Sequence, residues 1–199
     1  MRYNIITIER EYASGGREIG DCLAKKLGIP CYGKEILEWV AVQQGTTPEQ
    51  LRHLEETTTN SFLYSIAMAS KLSTREMNGL SKENELYLAE ARKIKELADH
   101  GNCILVGRCS SWVLRGREDV LNVFIQADMA FRKKRAVEMD SVDPSKAETT
   151  LRKSDKRRSN FYSANTGKKW DDRSEYHLIL DSSKLGIDKC VEIISKSIE

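Results

Sequence analysis

The sequence predicts an α/β domain built on a five-stranded parallel sheet flanked by helices. Three observations carry that expectation. Several short runs are almost continuously apolar, as strands buried on both faces must be. Helical patterns with apolar residues three and four apart lie between those runs. The first run leads through a glycine-containing turn straight into a helix, the βα step of a parallel sheet.

The elements follow in order. Ile5, Ile6 and Ile8 mark the first strand, and Ile19, Leu23 and Leu27 place a helix over 18–27. The short stretch 30–32 opens a second βα step, followed by a helical pattern over 34–44. A long polar helical region runs from about 48 to 99 between the second and third strands. Its most apolar portion is 61–72. This insertion reads as a helical flap, as an arm for a partner such as a second copy of the chain, or as a helix packed on its own domain. The third strand is CILV at 103–106, after a helix stopped by His100-Gly101-Asn102. LNVFI at 121–125 and HLIL at 177–180 are the fourth and fifth strands. Helices are expected over 128–139, 145–165 and 187–198. No repeat or low-complexity linker divides the chain, so residues 1–199 form a single domain.

Composition narrows the class. Lys and Arg number 32 against 30 Asp and Glu, a net charge of +2, which gives no global pull toward nucleic acid. No apolar run reaches membrane-spanning length. MRYNIITIE reads directly as a strand without the layout of a signal peptide. The five cysteines (22, 31, 103, 109, 190) are scattered without a C-x-x-C pair. Metal or disulfide frameworks are not expected, and the setting is expected to be reducing cytosol.

Chemistry is concentrated at the turns that follow strands, where ligands of open parallel sheets bind. In 3–20, YNIITIEREYASGGREIG, strand, small-residue loop and helix have the layout of a phosphate-binding loop. Backbone N–H groups of Ser14, Gly15 and Gly16 and the helix N-terminus favour an anion, and Arg17 is placed to close over it. Against the full pattern G-x-x-x-x-G-K-[ST], arginine replaces lysine and Glu18 stands where the Mg²⁺-binding hydroxyl belongs. An ordinary βα turn with a solvated arginine competes with this reading. Gly107-Arg108 follows the third strand and delivers a cation to the same edge.

Residues 131–173 hold thirteen Lys/Arg against seven Asp/Glu. Arg132 and Arg135 share a helix face, as do Asp155, Arg158 and Tyr162, with Arg157 adjacent. Arginine suits phosphate because its planar fork donates two hydrogen bonds at once. A charge run is ordinarily a solvated face; helical spacing after the fourth strand raises this one above that default. Lys34 and Glu35, after the second strand, and Asp181, after the fifth, are candidate acceptor-site contacts. Solvated first-turn residues and a helix cap are the competing roles.

Taken together, these segments resemble the cytidylate kinase-like family of P-loop proteins over nearly the whole chain. ITIEREYASGGREIG is similar to its opening signature, ILVGRCSSWVL to its V-G-R-C segment, DKRRSNFYSANTGKKW to its arginine-rich lid, and LDSSKLGID to its final strand-to-helix turn. The resemblance implies a three-layer P-loop NTPase-type fold with a lid at about 140–172. It implies a nucleoside-monophosphate-kinase-like phosphotransferase using ATP and Mg²⁺, with CMP or dCMP as acceptor. By the same resemblance Ser14, Gly15, Gly16 and Arg17 hold the donor phosphates, and Arg108 contacts the acceptor nucleotide. Arg132 and Arg135 lie on the helix that opens the lid and, with Asp155, are expected among the phosphate- and nucleotide-binding residues. Arg157 and Arg158, preceded by Asp155, neutralise the transferring phosphoryl group. The chain departs from the family pattern at Cys109, where an aspartate is usual, and at Glu18, so no Mg²⁺ ligand is identifiable. Two rivals stay open. One is a catalytically degenerate nucleotide sensor signalling through the 48–99 helices. The other, nucleic-acid binding, is weaker because aromatics are sparse in the basic segment.

Overall fold

The computed structural model describes residues 3–51 and 82–198. Five strands form one parallel sheet in the order β2-β3-β1-β4-β5. They are β1 (Ile5–Arg10), β2 (Cys31–Tyr32), β3 (Cys103–Val106), β4 (Val120–Gln126) and β5 (Leu178–Asp181). β1 is central, paired in parallel with β3 (Ile5 opposite Cys103) and with β4 (Ile5 opposite Val120). The helices are α1 (Gly16–Leu27), α2 (Lys34–Gln44), α3 (Lys82–His100), α4 (Ser110–Val113), α5 (Met129–Asp140), α6 (Ala147–Thr166), α7 (Ser182–Leu185) and α8 (Ile187–Ser197).

Strand alternation sorts the core into two layers. Ile6, Ile8, Ile104, Val106, Leu121, Val123 and Ile125 face the layer of α1 and α8, meeting Ile19, Leu23, Cys190 and Ile194. Ile5, Leu105, Val120 and Phe124 face the other way, toward Tyr87 and Ile94 of α3 and Tyr162 of α6. Two apolar layers around one sheet make three layers, as expected. Ile19, Leu23, Ile94 and Ile194 are fully buried, and each contributes about 1.5–3 kcal/mol relative to exposure.

The expected insertion at 48–99 lies largely outside the described residues, including its apolar portion 61–72. Its described end is α3, which packs on α2 and places Tyr87, Ala91, Ile94 and Ala98 in the core. That stretch is a helix of the domain itself. Two four-residue helices, α4 and α7, were not anticipated, since one turn is too short to show a period. All five cysteines are free. Cys103, Cys109 and Cys190 are buried, while Cys22 and Cys31 are half-buried rather than enclosed. No helix among the described residues is long and apolar enough to cross a membrane.

Candidate functional site

The carboxyl ends of β1, β2 and β3 carry the loops that build the site, with α6 facing them. The loop after β1 is tied down from several sides. The Glu11 N–H donates to the Ile125 carbonyl at 3.0 Å. The Ser14 hydroxyl donates to the carbonyls of Glu11 (2.9 Å) and Ile125 (3.1 Å), and the Ser182 hydroxyl donates to the Ser14 carbonyl at 2.6 Å. Ser14 is fully buried, so its hydroxyl fastens the loop to β4 and does not face a ligand. Gly15 has φ +83° just before α1, and a β-carbon there would lie 2.4 Å from Ile187 Cδ1. The left-handed backbone therefore favours glycine at that position, and a larger residue would also have to push the end of the Ile187 side chain aside.

After β3 the backbone is left-handed at three successive residues: Gly107 (φ 78°), Arg108 (59°) and Cys109 (54°). Two are not glycine, and strained backbone of this kind gathers at functional sites. The turn aims Arg108 back over β2. Its Nε donates to the Gly33 carbonyl at 3.0 Å, and its Nη1 pairs with the fully buried Glu90 of α3.

From the other side, α6 lies across the loop after β1. Arg158 Nη1 donates to the Arg10 carbonyl at 2.8 Å, and its guanidinium stands 5.5 Å from the Tyr12 ring centroid. Burial, reinforced by the neighbouring Arg10 charge and opposed by those of Asp155 and Glu9, holds Arg158 below its usual range. Arg157 Nη2 donates to the Ser154 hydroxyl at 3.2 Å.

These parts enclose a cavity of about 330 Å³. Five cationic residues line it: Arg10, Lys34, Arg108, Arg157 and Arg158. Tyr12, Ser154 and Phe161 complete much of the wall, and none of the described lining residues is acidic. So many cations around one space favour a ligand of high negative charge density.

Other predicted residues sit elsewhere. Arg17, expected to close over a phosphate, is engaged by carboxylates instead. Its Nε pairs with Asp21 and its Nη2 with Glu35, each at 3.0 Å. Glu35, an acceptor-site candidate, also accepts from the Gly33 N–H at 2.7 Å, so it braces the turn after β2. Asp181, another such candidate, is the cap of α7, accepting from the Ser183 N–H at 3.0 Å. Arg132, expected at a nucleotide, is 3% exposed and bridges Glu11 (2.9 Å) and Asp155 (2.5 Å). Asp155 in turn accepts from the Tyr12 N–H at 2.7 Å. Arg135 pairs with Glu18 at 2.5 Å, with its guanidinium beside Gly15. Asp21 apart, the neutralising partners of these arginines lie 18 to 121 residues away in sequence.

Burial would raise the Glu35 carboxyl, but hydrogen bonds from Arg17 and from backbone N–H groups outweigh it and hold the group down at about 2. A depressed folded-state carboxyl stabilises above its ordinary value of 4.5, and that contribution is lost as pH falls through about 2. Wild type is therefore expected to exceed Glu35→Gln in stability at neutral pH. Urea denaturation should show that gap closing between pH 4.5 and 2. A gap independent of pH would contradict the pairing.

Sequence reasoning overlooked Arg10, Tyr12 and Glu9. Arg10 is the last residue of β1, and its place at the carboxyl end of a central parallel strand is the signal that could have found it. Glu9 is buried, accepts from Trp170 Nε1 at 3.2 Å, and has its carboxyl pushed up by desolvation. No period or motif marks that residue.

The family model described as the cytidylate kinase-like family matches residues 5–184. The chain belongs to the cytidylate kinase-like family. The chain is similar to the cytidylate kinase of Archaeoglobus fulgidus, with 27% identity over 199 residues, 98% of this chain and 94% of that protein. It is also similar to the cytidylate kinase of Methanococcus vannielii, 30% identical over 141 residues, 67% of this chain and 79% of that protein. Among solved structures, an uncharacterized protein from Eubacterium ventriosum superposes with a TM-score of 0.73 at 24% identity, covering 98% of this chain and 97% of the other. Shikimate kinase from Bacteroides thetaiotaomicron superposes with a TM-score of 0.58 at 13% identity, covering 98% and 97%. These likenesses establish the α/β kinase fold, with its parallel five-stranded sheet. Within the family frame, the cavity lies where the opening signature, the V-G-R-C segment and the basic helix α6 meet.

Proposed function

We propose that this family member is a phosphotransferase of nucleoside-monophosphate-kinase type. It binds ATP and moves the terminal phosphoryl group to a nucleoside monophosphate, CMP or dCMP by resemblance, or to another small acceptor. The observation that carries the reading is the cavity whose described lining holds five cationic residues and no carboxylate. In such a transfer an acceptor phosphate oxygen forms a bond to the γ-phosphorus while the bond to the β–γ bridging oxygen breaks. A monophosphate is already ionised at neutral pH, so no side chain has to remove a proton. Positioning and charge neutralisation remain for the protein to supply.

The residues divide accordingly. Arg108 and Lys34, on the β2–β3 side, orient the acceptor. Arg157 and Arg158, from α6, face the group in transfer. Each charge-assisted hydrogen bond contributes about 1.5–3 kcal/mol, so three or four suffice for roughly micromolar binding of a polyphosphate. Tyr12 and Phe161 offer flat apolar surface beside the charges.

Mg²⁺ normally accompanies ATP and neutralises its phosphates. The carboxylates nearest the loop, Glu11 and Glu18, are each ion-paired to an arginine. Among the described residues, no three Asp, Glu, His or Cys side chains converge as a metal cage. The residues present do not build a protein site for the ion, and the roles above pass through none.

The test is ADP release from ATP with CMP, dCMP, UMP, AMP and GMP as acceptors. Acceptor-dependent ADP with matching diphosphate is expected. Tight ATP binding without turnover on any acceptor would replace this reading with the nucleotide sensor.

A further inference from the structure

The phosphate loop lacks its usual lysine, and the arginine that follows its glycines is held by two carboxylates. We infer that Arg10, at the end of β1, supplies the missing cation and contacts the phosphate chain of the donor. This assignment rests on the phosphotransferase reading of the cavity.

The path of the side chain is the main observation. A β-carbon built on Gly16, the first residue of α1, would lie 2.5 Å from Arg10 Cβ and 2.8 Å from its Cγ. One built on Gly107 would lie 2.0 Å from Arg10 Nη1 and 3.0 Å from its Cζ. Arg10 therefore starts at the tip of β1, crosses the start of α1 and brings its guanidinium to the tip of β3. The two glycines keep that groove open. A P-loop lysine reaches the phosphates from the first turn of the helix. Arg10 delivers its charge past that same turn from the strand side, using a longer side chain.

Two further facts fit this placement. Arg10 lines the cavity together with Arg108, Arg157 and Arg158, whereas Arg17 does not line it. The Arg10 carbonyl is held by Arg158 at 2.8 Å, which fixes the origin of the side chain relative to α6.

The experiment compares Arg10→Gln, Arg10→Lys and Arg17→Gln with the wild type. Calorimetric titration with inorganic tripolyphosphate reads the phosphate contact without any nucleoside. ADP release with ATP and CMP reads turnover. Arg10→Gln is expected to weaken tripolyphosphate binding by about 10–100-fold, the range for one or two charge-assisted hydrogen bonds. Arg10→Lys is expected to recover part of that loss, since it keeps the charge without the fork. The loss in Arg10→Gln should exceed that in Arg17→Gln by about tenfold. Circular dichroism and urea midpoints establish that each variant is folded, and Arg10→Lys keeps the charge should Arg10→Gln fail to fold. If wild type binds tripolyphosphate and turns over while folded Arg10→Gln matches it, or if Arg17→Gln loses more, the assignment to Arg10 is overturned and the proposed function stands. If wild type neither binds tripolyphosphate nor releases ADP, the proposed function falls and this assignment with it.

Discussion

Arg158→Ala is expected to lower phosphoryl transfer by about 10²–10³-fold, the cost of removing one preorganised charge donor from a transition state. Arg158 is brought to the cavity by α6 and anchored by its 2.8 Å hydrogen bond to the Arg10 carbonyl. Alanine removes that anchor, the stacking over Tyr12 and the charge together. Without a ligand, the hydrogen bond to the Arg10 carbonyl is set against the cost of burying the charge. The urea-unfolding free energy is therefore expected to change by only about 1 kcal/mol. Arg158→Lys should recover part of the rate through charge while lacking the fork. Single-turnover kinetics with saturating ATP checks the effect on the chemical step. Turnover of folded Arg158→Ala within threefold of wild type would remove α6 from the mechanism.

Arg132→Ala is expected to have the largest effect on stability, a loss of about 3 kcal/mol or more. Arg132 is 3% exposed and holds Glu11 of the loop at 2.9 Å and Asp155 of α6 at 2.5 Å. Deleting it leaves two partly buried carboxylates facing each other without a cation. Glu11 also accepts from the Ala127 N–H at 2.9 Å, and Asp155 from the Tyr12 N–H at 2.7 Å. The damage therefore reaches the seat of α5, the loop and α6 together. Asp155→Asn is a milder companion, since it keeps an oxygen for the Tyr12 N–H. Urea denaturation at pH 7 measures both. An Arg132→Ala midpoint near wild type would mean that this network is incidental to the fold.

The contrast between Arg132 and Arg158 illustrates what was legible. Both were picked from the same basic stretch by helical spacing, and spacing is a local property. Whether a cation serves a ligand or a fold depends on carboxylates that arrive from elsewhere. Glu11, 121 residues before Arg132, makes Arg132 a structural bridge. Among the described residues that line the cavity with Arg158, none is a carboxylate. Arg17 shows the same dependence, because Glu35 comes round from α2 to meet it. Arg108 was placed at the functional edge simply because it follows β3, a rule of chain direction that needs no side-chain contact.

The sheet itself was readable because burial on both faces leaves a local trace. The apolar run at 103–106 coincides with β3, and the run at 121–125 falls within Val120–Gln126. Helix periods extended to within a few residues of the observed ends. What left no trace was anything held together across distance, such as the loop fastened through Ser14 and Ser182, Glu9 sealed under Trp170, and the path of Arg10 over two glycines.

By itself, then, the chain determined its alternating strands and helices, the edge at which its loops gather, and the abundance of arginine there. Those depend on hydrophobic period and chain direction, which are written locally. Tertiary structure alone decided which arginines are neutralised and which converge on one cavity. Electrostatic pairing acts through space between residues more than a hundred positions apart, and only the folded sheet brings them within a few ångströms.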